Sequence, residues 1–169
     1  MSMTDASLPL VARSEFPFST VTGTCYRAVD PRHRAAALDG SRAAGRFSPP
    51  GVRTLYLSSS PEGVAAAMIA HRSARSAELE VLAFRVTATH IIDLRDRTLL
   101  ADLGIDPADA AAPWQEIVAA GGTPSSWGVR DRLVELGAHG LIDPSRRQPG
   151  LWHLTLFEWD ELVVAPIAS

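Results

Sequence analysis

GRFSPPG (45–51) runs directly into VRTLYLSSSPEG (52–63). A glycine, an arginine and an aromatic lead into two prolines and a second glycine, residue types that set a tight, rigid turn. TLYLSS (54–59) then reads as a strand. Ser60-Pro61-Glu62 opens a helix. Serine can cap, proline sits where no N–H is needed, and the glutamate faces the positive end of the dipole. The helix is predicted to continue through GVAAAMIAHR (63–72). A cation on a rigid turn beside a buried strand suits a loop that holds an anion with guanidinium and backbone donors. Loops of this kind are more often turns with a structural role only.

Working outward, the chain has 169 residues, enough for one domain with a proper core. Its hydrophobic fraction of 46% and charged fraction of 21% are those of a soluble globular protein. A net charge of -3 argues against direct nucleic-acid binding. Cys25 stands alone, which excludes an internal disulfide and a multi-cysteine zinc site. No apolar run approaches a membrane span, and the N-terminus lacks a basic region followed by an apolar one. The expected setting is the cytoplasm, without membrane attachment.

Residues 1–20 read as a polar lead-in to a single domain over 21–169. Strands are predicted at GTCYRAV (23–29), LEVLAFRVT (79–87), HIIDL (90–94), GLIDPS (140–145), WHLTLFEW (152–159) and LVVAP (162–166). DPRHRAAALDGSRAAG (30–45) is a loop with room for one helical turn. Helices are predicted near DPADAAAPWQEIVAA (106–120) and SSWGVRDRLVELG (125–137). Strands and helices alternate irregularly, so the fold class is α+β: a mixed β-sheet core with flanking helices.

Several chemistries are excluded by the residues. No Walker or dinucleotide glycine loop occurs, nor a His-Glu-x-x-His. The five histidines (33, 71, 90, 139, 153) lack ligand spacing, so no metal is expected. No Gly-x-Ser-x-Gly elbow offers a serine nucleophile. Arginines, tyrosines and serines at strand ends remain.

Four segments in order carry a resemblance: YRAV (26–29), GRFSPPG, LYLSSSPE (55–62) and GLIDPSRRQPGLWHLTLF (140–157). Over about residues 23–160 the chain resembles the RES domain family. That resemblance implies an ADP-ribosyltransferase-like fold that takes NAD as its substrate and cleaves the nicotinamide–ribose bond. It implies the toxin of a bacterial toxin–antitoxin pair, silenced by an Xre-type antitoxin that carries the helix-turn-helix. The acceptor of ADP-ribose would be water, phosphate or a target protein.

The family's arginine and serine match Arg27 and Ser145, and its stacking tyrosine matches Tyr56. Its glutamate, expected in the helix after LYLSSSPE, falls on Ala67. Cleavage builds positive charge on the ribose, which a carboxylate stabilises, so the gap bears on mechanism. Glu62 is the first substitute to consider, although five residues along a helix turns it off the expected face. Glu78, Glu80 and Glu158 are further acids. By the same resemblance Arg46 faces the pyrophosphate, with Ser48 beside it. Phe47 and Ser48 stand where the family usually has tryptophan and asparagine. Arg147 and His153 are neighbours of the pocket.

The catalytic set implied is therefore Arg27, Tyr56, Ser145 and Glu62. The NAD-facing set is Arg27, Arg46, Ser48, Tyr56, Ser145 and Arg147. Each has a plainer reading: Arg27 as a paired surface cation, Tyr56 as a core aromatic, Ser145 as the closing residue of a turn after Asp143-Pro144. Three functions stay open. One is an NAD-consuming toxin. Another is a weak or inactive homologue that binds NAD or its antitoxin. The third is an unrelated binding module.

Overall fold

The computed structural model describes residues 7–69 and 78–167, giving backbone only for 66–69. In chain order its strands are β1 (Leu10–Arg13), β2 (Ser19–Val29), β3 (Leu55–Ser58), β4 (Glu80–Asp93), β5 (Gly140–Pro144), β6 (Trp152–Leu156) and β7 (Val164–Pro166). The helices are α1 (Pro61–Ile69), α2 (Arg97–Leu103), α3 (Pro107–Ala110), α4 (Trp114–Ala119) and α5 (Ser125–Glu135). A 3-10 turn at Pro31–Ala36 supplies the one helical turn expected in the first loop.

The expected sheet is instead a closed ring. The order β2-β3-β6-β5-β4 returns to β2, because β2 and β4 pair antiparallel from Ser19↔Ile91 to Val29↔Glu80. These two strands are long, 11 and 14 residues, and each gives its second edge to two short partners. β2 takes β1 and then β3, while β4 takes β7 at Phe84–Val86 and the parallel β5 at Ile91–Asp93. Right-handed twist accumulated over such strands lets a sheet curl until its ends meet. Local patterning carries no trace of that closure, so it was not read from the sequence.

Other boundaries moved for physical reasons. The two strands predicted at 79–87 and 90–94 form one strand, β4, with a bulge. Between the Val21↔Ala88 and Ser19↔Ile91 pairs β4 carries the extra residue, and His90 takes a left-handed φ of 57° there. Within the segment read as a lead-in, Leu10–Arg13 forms β1 on β2. The helix predicted over 106–120 divides into α3 and α4, since Pro113 disfavours helix both at itself and at the residue before. α2 was not predicted, although Asp96 caps it through Leu99 N at 3.0 Å and Gly104 ends it at φ 69°. At α1 the predicted cap is realised: Ser60 Oγ accepts from Gly63 N at 3.0 Å. The predicted extension of α1 through 70–72 lies outside the described residues.

Alternation along the strands divides the apolar residues into two cores. Inside the ring lie Cys25, Leu55, Leu57, Phe84, Ile142, Trp152, Leu154 and Leu156. Burial there pushes the Cys25 thiol up to about 12, so it is an inert core residue. On the outside, Leu141, Ile92 and Phe157 pack with Phe47 and with Leu99, Leu100, Val129 and Leu133 of α2 and α5. Each such side chain contributes about 1.5–3 kcal/mol when fully buried. On the same outward face of β3, β6 and β5 lie Ser58, His153 and Asp143. They lie in one row, as Ser58↔His153 and Asp143↔His153 pairs show.

Candidate active site

β2 and β3 meet at a single paired position, Tyr26↔Ser58. A cleft of about 890 Å3 opens beside that seam, walled by Tyr26, Arg27, Arg46, Tyr56, Ser58, Asp143, Ser145, Arg146, Arg147 and His153. Residues more than a hundred positions apart thus converge on one space. Arg27, Tyr56 and Ser145 come together there as expected, with Arg46 and Arg147.

The turn that opened the reading is clamped from two sides. From α5, Trp127 Nε1 donates to Gly45 O at 2.8 Å, Ser126 Oγ to Arg46 O, and Arg130 Nη1 to Phe47 O at 2.8 Å. From β3, the Tyr56 hydroxyl lies 2.6 Å from Ser48 Oγ and accepts from Phe47 N at 3.1 Å. Gly45 is required by this approach, because a Cβ would stand 2.5 Å from the Tyr56 oxygen. Held in this way, Arg46 reaches across the cleft, and its Nη1 donates to Ala110 O at 3.2 Å and Ala112 O at 2.8 Å.

A second arginine arrives at the same carbonyl. Arg146 Nη2 donates to Ala110 O at 2.9 Å, while its fork grips Asp143 at 2.7 and 3.2 Å. Asp143 is buried, its side chain only 6% accessible. Burial lowers the Arg46 pKa, the neighbouring Arg146 lowers it further, and Asp143 offsets part of this. Arg27 is held by one bond, Nη1 to Tyr56 O at 3.3 Å. Its Nε is the one buried side-chain nitrogen or oxygen among the described residues without a hydrogen-bond partner. Burial lowers its pKa as well. A desolvated cation with a spare donor is what a ligand oxygen would satisfy.

Other members of the wall are fixed more locally. His153 Nδ1 lies 3.0 Å from Ser58 Oγ, and burial lowers its pKa. Burial raises that of Tyr56. Ser145 both lines the cleft and closes a turn, its Oγ accepting from Gln148 N at 3.2 Å. Ser48 is fully buried behind Tyr56 and does not line the cleft. Glu62 is exposed on the first turn of α1 and is not among the residues that line the cleft. Of the other acids considered, Glu80 pairs with Arg34 and Glu158 with His139, while Glu78 is exposed. Position 67 lies in α1, where the side chain falls outside the described residues.

Of the wall residues that escaped the sequence reading, the charged ones are Asp143 and Arg146. Asp143-Pro144 looks like turn chemistry, yet alternation along GLID places Asp143 on the outward face, as for Leu141. In the Arg146-Arg147 pair, nothing local says which guanidinium would find the carboxylate.

The sequence matches the RES domain over residues 24–168. The chain belongs to the RES domain family. Its fold is similar to that of the MbcT toxin in the crystal structure of the M. tuberculosis MbcT–MbcA toxin–antitoxin complex, at a TM-score of 0.55 and 21% identity. The likeness covers 80% of this chain and 73% of that one. No curated protein matches the sequence. Within this RES domain no helix among the described residues is long and apolar enough to cross a membrane, and no three described His, Cys, Asp or Glu side chains gather as a metal would require.

Proposed function

We propose that the chain is the toxin of a toxin–antitoxin pair and that its cleft binds NAD and cleaves the nicotinamide–ribose bond in the cytoplasm. The observation that carries this reading is the charge of the cleft. Among the described residues, Arg27, Arg46, Arg146 and Arg147 line it against a single carboxylate, Asp143. Such an excess of forked donors fits a ligand with two linked phosphates. In this reading Arg46 and Arg146 hold the pyrophosphate beside Ala110. Arg27 offers its guanidinium to the nicotinamide ribose, and Tyr56 and Ser145 border the sugar. Ser48 acts behind Tyr56 and not on the ligand. The ADP-ribose passes to water, to phosphate or to a protein side chain. An antitoxin of Xre type covers the cleft, and with this chain at a net charge of -3 the partner supplies any DNA contact.

Purified protein incubated with NAD tests the reading, with phosphate or cell lysate added in parallel. Release of nicotinamide supports it, and the companion product names the acceptor. Intact NAD in every mixture would favour the second reading, a protein that binds NAD or its antitoxin without turnover. The alanine at position 67, where the family resemblance expects a glutamate, favours that second reading.

A further inference from the structure

We infer that Asp143 is the catalytic carboxylate of this cleft, an inference that rests on the NAD-cleaving reading above. The argument begins with elimination. Among the described residues lining the cleft, Asp143 is the one acid. The segments outside the description hold a single acid, Asp5; residues 70–77 read AHRSARSA, and 66–69 are Ala, Ala, Met and Ile. The helix that follows LYLSSSPE therefore offers no carboxylate beyond Glu62, which is exposed and not among the residues that line the cleft.

The chemistry needs one. When the C1'–N bond of the nicotinamide riboside breaks, its electron pair leaves with nicotinamide as a neutral pyridine. Positive charge then spreads over C1' and the ring oxygen. An acceptor oxygen, water in the simplest case, bonds to C1', and its proton passes to solvent. The arginines of the cleft repel the developing cation, and a fixed anion beside the ribose opposes that repulsion.

Asp143 is built for the part. Arg146 takes up one side of the carboxylate through its fork. A carboxylate has about four acceptor positions, so capacity remains for a ribose hydroxyl. The strand register sets Asp143 beside His153, whose ring is in turn held at Ser58, so the acid sits on a strand and not on a loop tip. A group fixed before the reaction needs no reorganisation as charge develops.

Three Asp143 variants of the protein test this, read by nicotinamide release and by affinity for carba-NAD, a non-cleavable analogue with a methylene in place of the ribose ring oxygen. Asp143→Asn should lower kcat about a hundredfold or more, with carba-NAD affinity within about threefold of wild type. Formate should restore part of the turnover of Asp143→Ala. If Asp143→Asn unfolds because Arg146 loses its partner, the double variant Asp143→Asn/Arg146→Gln removes both charges and must show the same loss of kcat relative to Arg146→Gln alone. Turnover within about threefold of wild type in a folded variant overturns the assignment. So does a loss confined to affinity, which would make Asp143 a support for Arg146 alone. Wild type that releases no nicotinamide removes the function itself, a result separate from any difference between variant and wild type.

Discussion

Arg46 and Arg146 reach the same carbonyl oxygen, that of Ala110, by different means. Arg46 is delivered by its backbone: the turn at 45–51 is bonded to three α5 side chains and to the Tyr56 hydroxyl. Arg146 is delivered by its side chain, gripped by one buried acid on β5. The difference separates two kinds of dependence. The first arginine depends on the outer core of the fold, and the second on one side chain, of which an asparagine at 143 would keep an acceptor oxygen. Stability and ligand binding should therefore part company along this line.

The largest effect should come from Arg130, the α5 clamp that makes two hydrogen bonds. It is buried, it bonds Phe47 O at 2.8 Å and Thr54 Oγ1 at 2.5 Å, and it lies over the Phe157 ring. Arg130→Met leaves the Phe47 carbonyl without its partner and should cost about 2–3 kcal/mol, lowering the Tm in calorimetry by about 4–12 °C. NAD affinity should fall with it, because the turn that carries Arg46 loses its support. A stable variant with wild-type affinity would break the comparison.

Arg46→Ala should act on binding alone. Removing one charge-assisted contact to a phosphate should weaken carba-NAD binding about tenfold, while the Tm moves little because Arg46 bonds only two carbonyls near the end of α3. Titration calorimetry and a melting curve on the same sample read both. Unchanged affinity would make the turn structural only.

The smallest effect concerns pH. Burial holds the His153 pKa below its ordinary value near 6.5. A base whose folded pKa is depressed favours folding above the unfolded value, and that contribution disappears as pH falls through the folded one. Stability should accordingly decline below about pH 6.5, and His153→Gln should flatten that part of the profile. The neighbouring charges have opposite senses, Asp143 raising the value while Arg146 and Arg46 lower it, so burial sets the direction. A profile unaltered in the variant would place the titration elsewhere.

What could be read from the sequence follows the range of the interactions. Strand residues such as Leu55–Ser58 and Trp152–Leu156 carry their alternation locally, and the cap at Ser60 is a three-residue pattern. Ring closure through β2 and β4 depends on pairing residues as distant as Ser19 and Ile91, for which no local signal exists. The same holds for the site. Arg27, Arg46, Tyr56 and Ser145 stood out by motif and do share the cleft. Ser48 stood out likewise, but the hydroxyl of Tyr56 draws it inward. Asp143 and Arg146 were missed because their meaning lies in a contact with each other and with Ala110, which only the folded chain brings near.

The most direct test of the account is a crystal structure of the wild-type protein with carba-NAD. The account expects the diphosphate between Arg46 and Arg146, the nicotinamide ribose within hydrogen-bond distance of Asp143, and a ligand oxygen on the Arg27 guanidinium. The analogue bound outside this cleft, or inside it with its ribose turned away from Asp143, would contradict it.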